Sequence, residues 1–170
     1  LKQNSVAIKM YNLVIAQREQ LNDIEGLALA YGDLGSTYKN DGQYSLGEEY
    51  LQKSLQYYLK KNDYYNAASQ SHNLAELYSL TEQLIKAKEY ANQAVTMALQ
   101  ASNQAAYAGS LFTFGKLAYL DRDFAQALEY LAKSDQVSKH MMYRLQLEEN
   151  LTLYALILSA QQQSSSALHT

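Results

Sequence analysis

The chain has no proline, no cysteine and no tryptophan among its 170 residues. Average usage near 5% would place roughly eight prolines in such a chain. Proline in a helix interior costs about 3 kcal/mol, so a chain that avoids it completely reads as nearly all helix. The missing cysteine excludes disulfides, thiolate zinc sites and a cysteine nucleophile, but fixes no compartment. Basic charge is scarce too: 14 Lys and Arg stand against 17 Asp and Glu, a formal net charge of −3. Nucleic-acid binders draw much of their affinity from neutralising phosphates. The densest basic stretch here is Lys60-Lys61, so no nucleic-acid partner is expected. No apolar run approaches the roughly 18 residues of a membrane span, and no membrane partner is expected for this piece. No signal peptide is visible, and the chain opens on Leu1, which reads as an excised piece of a longer protein. The compartment is left open: a soluble protein of the bacterial cytoplasm or of the periplasm fits equally.

What the chain does have is 16 tyrosines and a repeat. Glu49-Tyr50 recurs as Glu89-Tyr90 and Glu129-Tyr130, 40 residues apart each time. Positions 7, 47, 87, 127 and 167 hold Ala, Gly, Ala, Ala and Ala, and Asn22-Asp23 recurs as Asn62-Asp63. Apolar residues at helical spacing divide each repeat into two stretches. The expected helices are 3–20, 23–40, 44–61, 63–80, 84–101, 103–120, 124–140 and 143–161, with Asn62 or Asp63 as an N-cap. Short connections make successive helices antiparallel neighbours. The expected fold is an all-α solenoid of antiparallel helix pairs, since one pair cannot bury its apolar face alone. It divides into the second helix of a repeat at 1–22, full repeats at 23–62, 63–102 and 103–142, and a partial repeat at 143–170.

Gly32 and Gly35 lie inside an expected helix, where each costs about 1 kcal/mol relative to alanine. Gly35 aligns with Ala75, Gly115 and Ala155, so close helix packing is the expected compensation. Residues 161–166, three glutamines and three serines, read as a polar turn, after which Ala167 enters the small-residue position of another helix. The array therefore reads as cut from a longer one, or as ending on an incomplete helix.

These residues resemble the tetratricopeptide repeat, whose pattern is W-x2-L-G-x2-Y, then A-x3-F, then P, over about 34 residues. The first full repeat offers Tyr31, Leu34-Gly35, Tyr38, Tyr44, Gly47 and Leu51; the second Leu74-Ala75, Tyr78, Leu84, Ala87 and Ala91; the third Leu111, Phe114-Gly115, Phe124, Ala127 and Leu131. Two departures go together. The closing proline is replaced by Leu59, Leu99 and Lys139, and the period is 40, so longer helices leave no place for a helix breaker.

The resemblance implies a right-handed superhelix whose first helices line a concave groove for a peptide or partner protein. Carried over by position, the groove residues are Asp33, Ser36, Lys39 and Asn40; His72, Asn73, Glu76 and Ser79; Phe112, Thr113, Lys116 and Tyr119; and Thr152 and Leu156. The family's carboxylate clamp is not matched: Asn73 fits one position, but Gly32, Ser36, Gly109 and Thr113 occupy the others.

Catalytic, cofactor and metal signatures are not found. His72, His140 and His169 form no H-E-x-x-H pair, and there is no P-loop, G-x-G-x-x-G or G-x-S-x-G. His72 is either a hydrogen-bonding groove residue or a plain surface histidine. His140, Asp121, Asp123 and Glu148-Glu149 sit at expected helix ends, where their charges suit the helix dipole. The expected function is a non-catalytic protein- or peptide-binding domain with no cofactor, the sensory or scaffold segment of a larger bacterial signalling protein. The alternatives are a spacer or self-association module working through the array ends, and a regulator switched by a peptide ligand.

Overall fold

The computed structural model describes the backbone of residues 2–167 and the side chains of 4–163. Eight helices follow one another: α1 (Lys2–Gln20), α2 (Ile24–Asn40), α3 (Tyr44–Lys60), α4 (Tyr64–Leu80), α5 (Leu84–Ala101), α6 (Gln104–Leu120), α7 (Phe124–His140) and α8 (Arg144–Ala167). Each packs on the next, giving the all-α stack of helix pairs that the periodicity implies.

The turns share one geometry. Asn22, Gly42, Asn62, Glu82, Ser102, Arg122 and Met142 all have positive φ, between 53° and 80°, at intervals of 20 residues. A single left-handed residue follows each helix from α1 to α7 and lets the chain reverse within two or three residues. The side chain of Asp23 then caps α2, Asp63 caps α4, Asn103 caps α6 and Asp123 caps α7. Each accepts a bond from a backbone N–H of the first turn. Asn103 also donates to the Tyr65 carbonyl at 2.7 Å, tying the start of α6 to α4. Tyr143 holds the corresponding position before α8 and has no such chemistry.

The expected turn at 161–166 is not there. α8 continues through it to Ala167. Glutamine is a good helix former, and the stretch holds neither glycine nor proline to stop the helix.

The glycines do permit close packing. A Cβ on Gly35 would lie 2.8 Å from the Leu51 backbone nitrogen, and one on Gly47 3.1 Å from the Gly35 carbonyl oxygen. The two positions therefore set how closely α2 and α3 cross. Around such crossings Leu34, Leu51, Leu74, Leu77, Leu131 and Ile157 are all but fully buried. Each contributes about 1.5–3 kcal/mol by leaving water. The tyrosines that keep the repeat register are packing residues: Tyr38 stacks on Tyr50 at 5.7 Å and Tyr78 on Tyr90 at 5.3 Å.

The pairs stack unevenly. α2 approaches α4, α4 approaches α6 and α6 approaches α8, whereas α3, α5 and α7 do not approach one another to the same distance. The stack is therefore closer along α2, α4, α6 and α8, which form its inner surface.

Candidate partner-binding groove

Two recesses follow one another along the inner helices. The first, about 370 Å³, is walled by Lys39 and Asn40 of α2, Ser69, His72, Asn73 and Glu76 of α4, Phe112 of α6, and Tyr143, Leu145, Gln146 and Glu149 at the start of α8. The second, about 260 Å³, lies between α6 and α8 and is bounded by Phe112, Lys116, Tyr119, Leu120, Glu149, Thr152, Leu153 and Leu156. Phe112 and Glu149 belong to both, so the recesses form one groove with a polar and an apolar half. A larger furrow of about 510 Å³ lies on the outer side, between α3 and α5. Only two helices wall it, so it encloses a ligand far less than the inner groove does.

The polar half is organised by charge. Lys39 is only 5% exposed and is paired with Glu76 across α2 and α4. A lysine so enclosed needs a partner, because an unpaired buried charge costs several kcal/mol. Burial works to raise the Glu76 carboxyl, but the Lys39 ammonium prevails and holds it below its usual value. Burial also lowers His72 from 6.5 to about 4, with Lys39 adding to the effect and Glu76 opposing it. The imidazole is therefore neutral near pH 7. Its ring lies against Gly109, where a Cβ would come within 2.5 Å of Nε2, and its Nδ1 finds no hydrogen-bond partner among the described residues. His72 is thus a fixed, uncharged wall of the groove.

Not every expected groove residue lines these recesses. Asp33 is exposed and accepts a hydrogen bond from the Tyr11 hydroxyl, and neither it nor Ser36 borders either recess. Thr113 is 2% exposed and donates to the Gly109 carbonyl at 3.2 Å, so it faces helix rather than groove. Ser79 is likewise buried. Tyr119 borders the apolar half while its ring leans on Phe124 at 6.0 Å. Thr152 donates its hydroxyl to the Glu148 carbonyl at 2.9 Å. His169 lies outside the described residues.

The sequence reading missed Glu149. Its neighbour Glu148 behaves as a helix-start carboxylate and pairs with Arg144 at 3.2 Å. Glu149, one residue on, is turned about 100° round the helix and faces the groove. Burial raises its carboxyl, Glu76 raises it further, and Lys39 and Lys116 only partly oppose this. The repeat register held the signal. Glu149 aligns with Gly109 and Ser69, and Ser69 lines the same recess. Among the described residues no three metal-ligating side chains converge, and no helix is long and apolar enough to cross a membrane.

Antiparallel helix pairs in a stack, with one helix of each pair along an inner groove, define an α-helical repeat solenoid. Its particular kind follows from the family comparison: residues 26–100 match the tetratricopeptide repeat model, and that stretch of the chain is tetratricopeptide repeat. Repeats of this family are generally protein–protein interaction modules. None of the curated proteins compared with the chain matches it.

Proposed function

We propose that the chain is a non-catalytic peptide-binding domain, the sensory or scaffold segment of a larger bacterial signalling protein, and that its partner lies along the inner groove. The supporting observation is the continuity of that groove across α4, α6 and α8, with Phe112 and Glu149 shared by its two halves. An extended peptide presents alternating N–H and C=O groups. The amides of Asn40, Asn73 and Gln146 can serve both, as donor and as acceptor. Phe112, Tyr119 and Leu156 offer apolar surface for its side chains. We assign partner contact to these residues and to Lys39, His72, Glu76, Lys116 and Thr152, within an array whose repeats run 23–62, 63–102 and 103–142.

Selection from a phage-displayed random-peptide library tests this. The wild-type chain is expected to enrich a shared motif. A variant combining Asn73→Ala, Phe112→Ala and Tyr119→Ala is expected to keep its helical circular dichroism and enrich nothing. Enrichment of the same motif by that variant would place the binding surface elsewhere.

A further inference from the structure

The charges of the groove are unevenly closed. Lys39 and Glu76 satisfy each other, and His72 is neutral. Glu149 is half-buried in the wall between the two recesses, and no cationic side chain among the described residues forms an ion pair with it. Gln146 hydrogen-bonds its carboxylate, and Lys39 and Lys116 act on it only from beyond ion-pair range. A half-buried carboxylate in that position is under-compensated, because taking charge out of water is costly unless an opposite charge replaces the water. Phe112 borders the same two recesses, and the apolar recess opens immediately beyond it.

We propose that Glu149 is the specificity-determining residue of this groove, and that its partner is a peptide segment carrying a basic side chain beside a bulky apolar one. This rests on the peptide-binding reading above. The basic head sits between the Glu149 carboxylate and the ring of Phe112, combining a charge-assisted hydrogen bond with a cation–π contact. The neighbouring apolar side chain fills the recess of about 260 Å³ against Tyr119 and Leu156. An acidic segment is disfavoured there. It would meet Glu76 and Glu149 together, while the deeply placed cation Lys39 is already taken. Lys116 also borders the apolar recess, and it opposes a basic ligand. Its four-carbon stem lets the ammonium stay in water while the stem covers apolar surface. Removing its charge is therefore expected to strengthen binding, the opposite of the effect at Glu149.

The test uses the same library, followed by fluorescence titration of one enriched peptide. Enriched peptides are expected to carry Arg or Lys adjacent to Leu, Ile, Met or Phe. Glu149→Gln should weaken the titrated peptide by about tenfold with thermal unfolding unchanged, and Lys116→Gln should tighten it. A motif without a basic residue, or an affinity indifferent to Glu149→Gln, overturns this inference and leaves the groove reading standing. A wild-type chain that enriches no motif overturns both.

Discussion

The pair α2–α3 and the pair α6–α7 occupy equivalent places in the stack, yet they close differently. In the first, Gly35 and Gly47 meet at the crossing, and a Cβ on Gly35 would press on the Leu51 backbone at 2.8 Å. In the second, Gly115 faces Ala127 and Leu131, and its Cβ would lie 3.3 Å from the nearest atom. The aromatic contact also moves. Tyr38 stacks on Tyr50 in the first pair; in the second, Ala118 replaces that tyrosine, and Phe114, one turn earlier, stacks on Tyr130 at 5.2 Å. One bond is kept: Ser54 donates to the Ala28 carbonyl at 2.7 Å, and Ser134 to the Ala108 carbonyl at 3.0 Å. Several packings therefore hold one backbone. That tolerance leaves the inner side chains free to differ, from the Lys39–Glu76 pair at one end to Tyr119 and Leu156 at the other.

The largest expected effect breaks this comparison at its glycines. Gly35→Ala must move the α3 backbone, and overpacking of this kind costs about 1–3 kcal/mol. Gly115→Ala asks the Leu131 side chain, 3.3 Å away, to give by a few tenths of an ångström and gains up to about 1 kcal/mol of helix propensity, so it should cost far less than Gly35→Ala. Urea denaturation of the two variants checks this; equal losses would mean that the two crossings are equally tight.

A smaller effect compares position 72 with its equivalent 112, where histidine faces phenylalanine. Folding lowers His72 from 6.5 to about 4, so between those values the unfolded chain binds the extra proton. Its contribution is intact above about pH 6.5 and is lost as pH falls toward 4. Glu76, held below its usual 4.5, adds its own loss as pH falls below about 4.5. Glu149, whose carboxyl is raised, works the other way: the fold gains stability as pH falls through its folded value. The informative quantity is therefore the difference between wild type and His72→Gln. The drop in thermal midpoint from neutral pH to about pH 4.5 should be smaller in the variant. Identical drops would show that His72 does not titrate with folding.

Much of the helical framework was legible because its signals are local. Apolar spacing marked the eight helices, Asn62-Asp63 announced a cap that falls to Asp63, and the aligned small residues announced the crossings. The groove was only partly legible. Whether a side chain reaches it depends on how four helices, far apart in sequence, lean together. Lys39, Asn40, His72, Asn73 and Glu76 share the polar recess, but Thr113 is turned into the packing against α6's own turn. Glu149 was hidden by its place at a helix start, where the helix dipole alone accounts for a carboxylate. The helix through 161–166 was hidden by a composition that suits a linker as readily as a helix.

Photo-crosslinking of a library-selected peptide tests the central claim most directly. A benzophenone side chain is placed at Leu120, on the inner groove, or at Gln56, on the outer furrow. Crosslinking at position 120 and none at position 56 is the expected result. Crosslinking at 56 with none at 120 would contradict the account and put the partner on the outside of the solenoid.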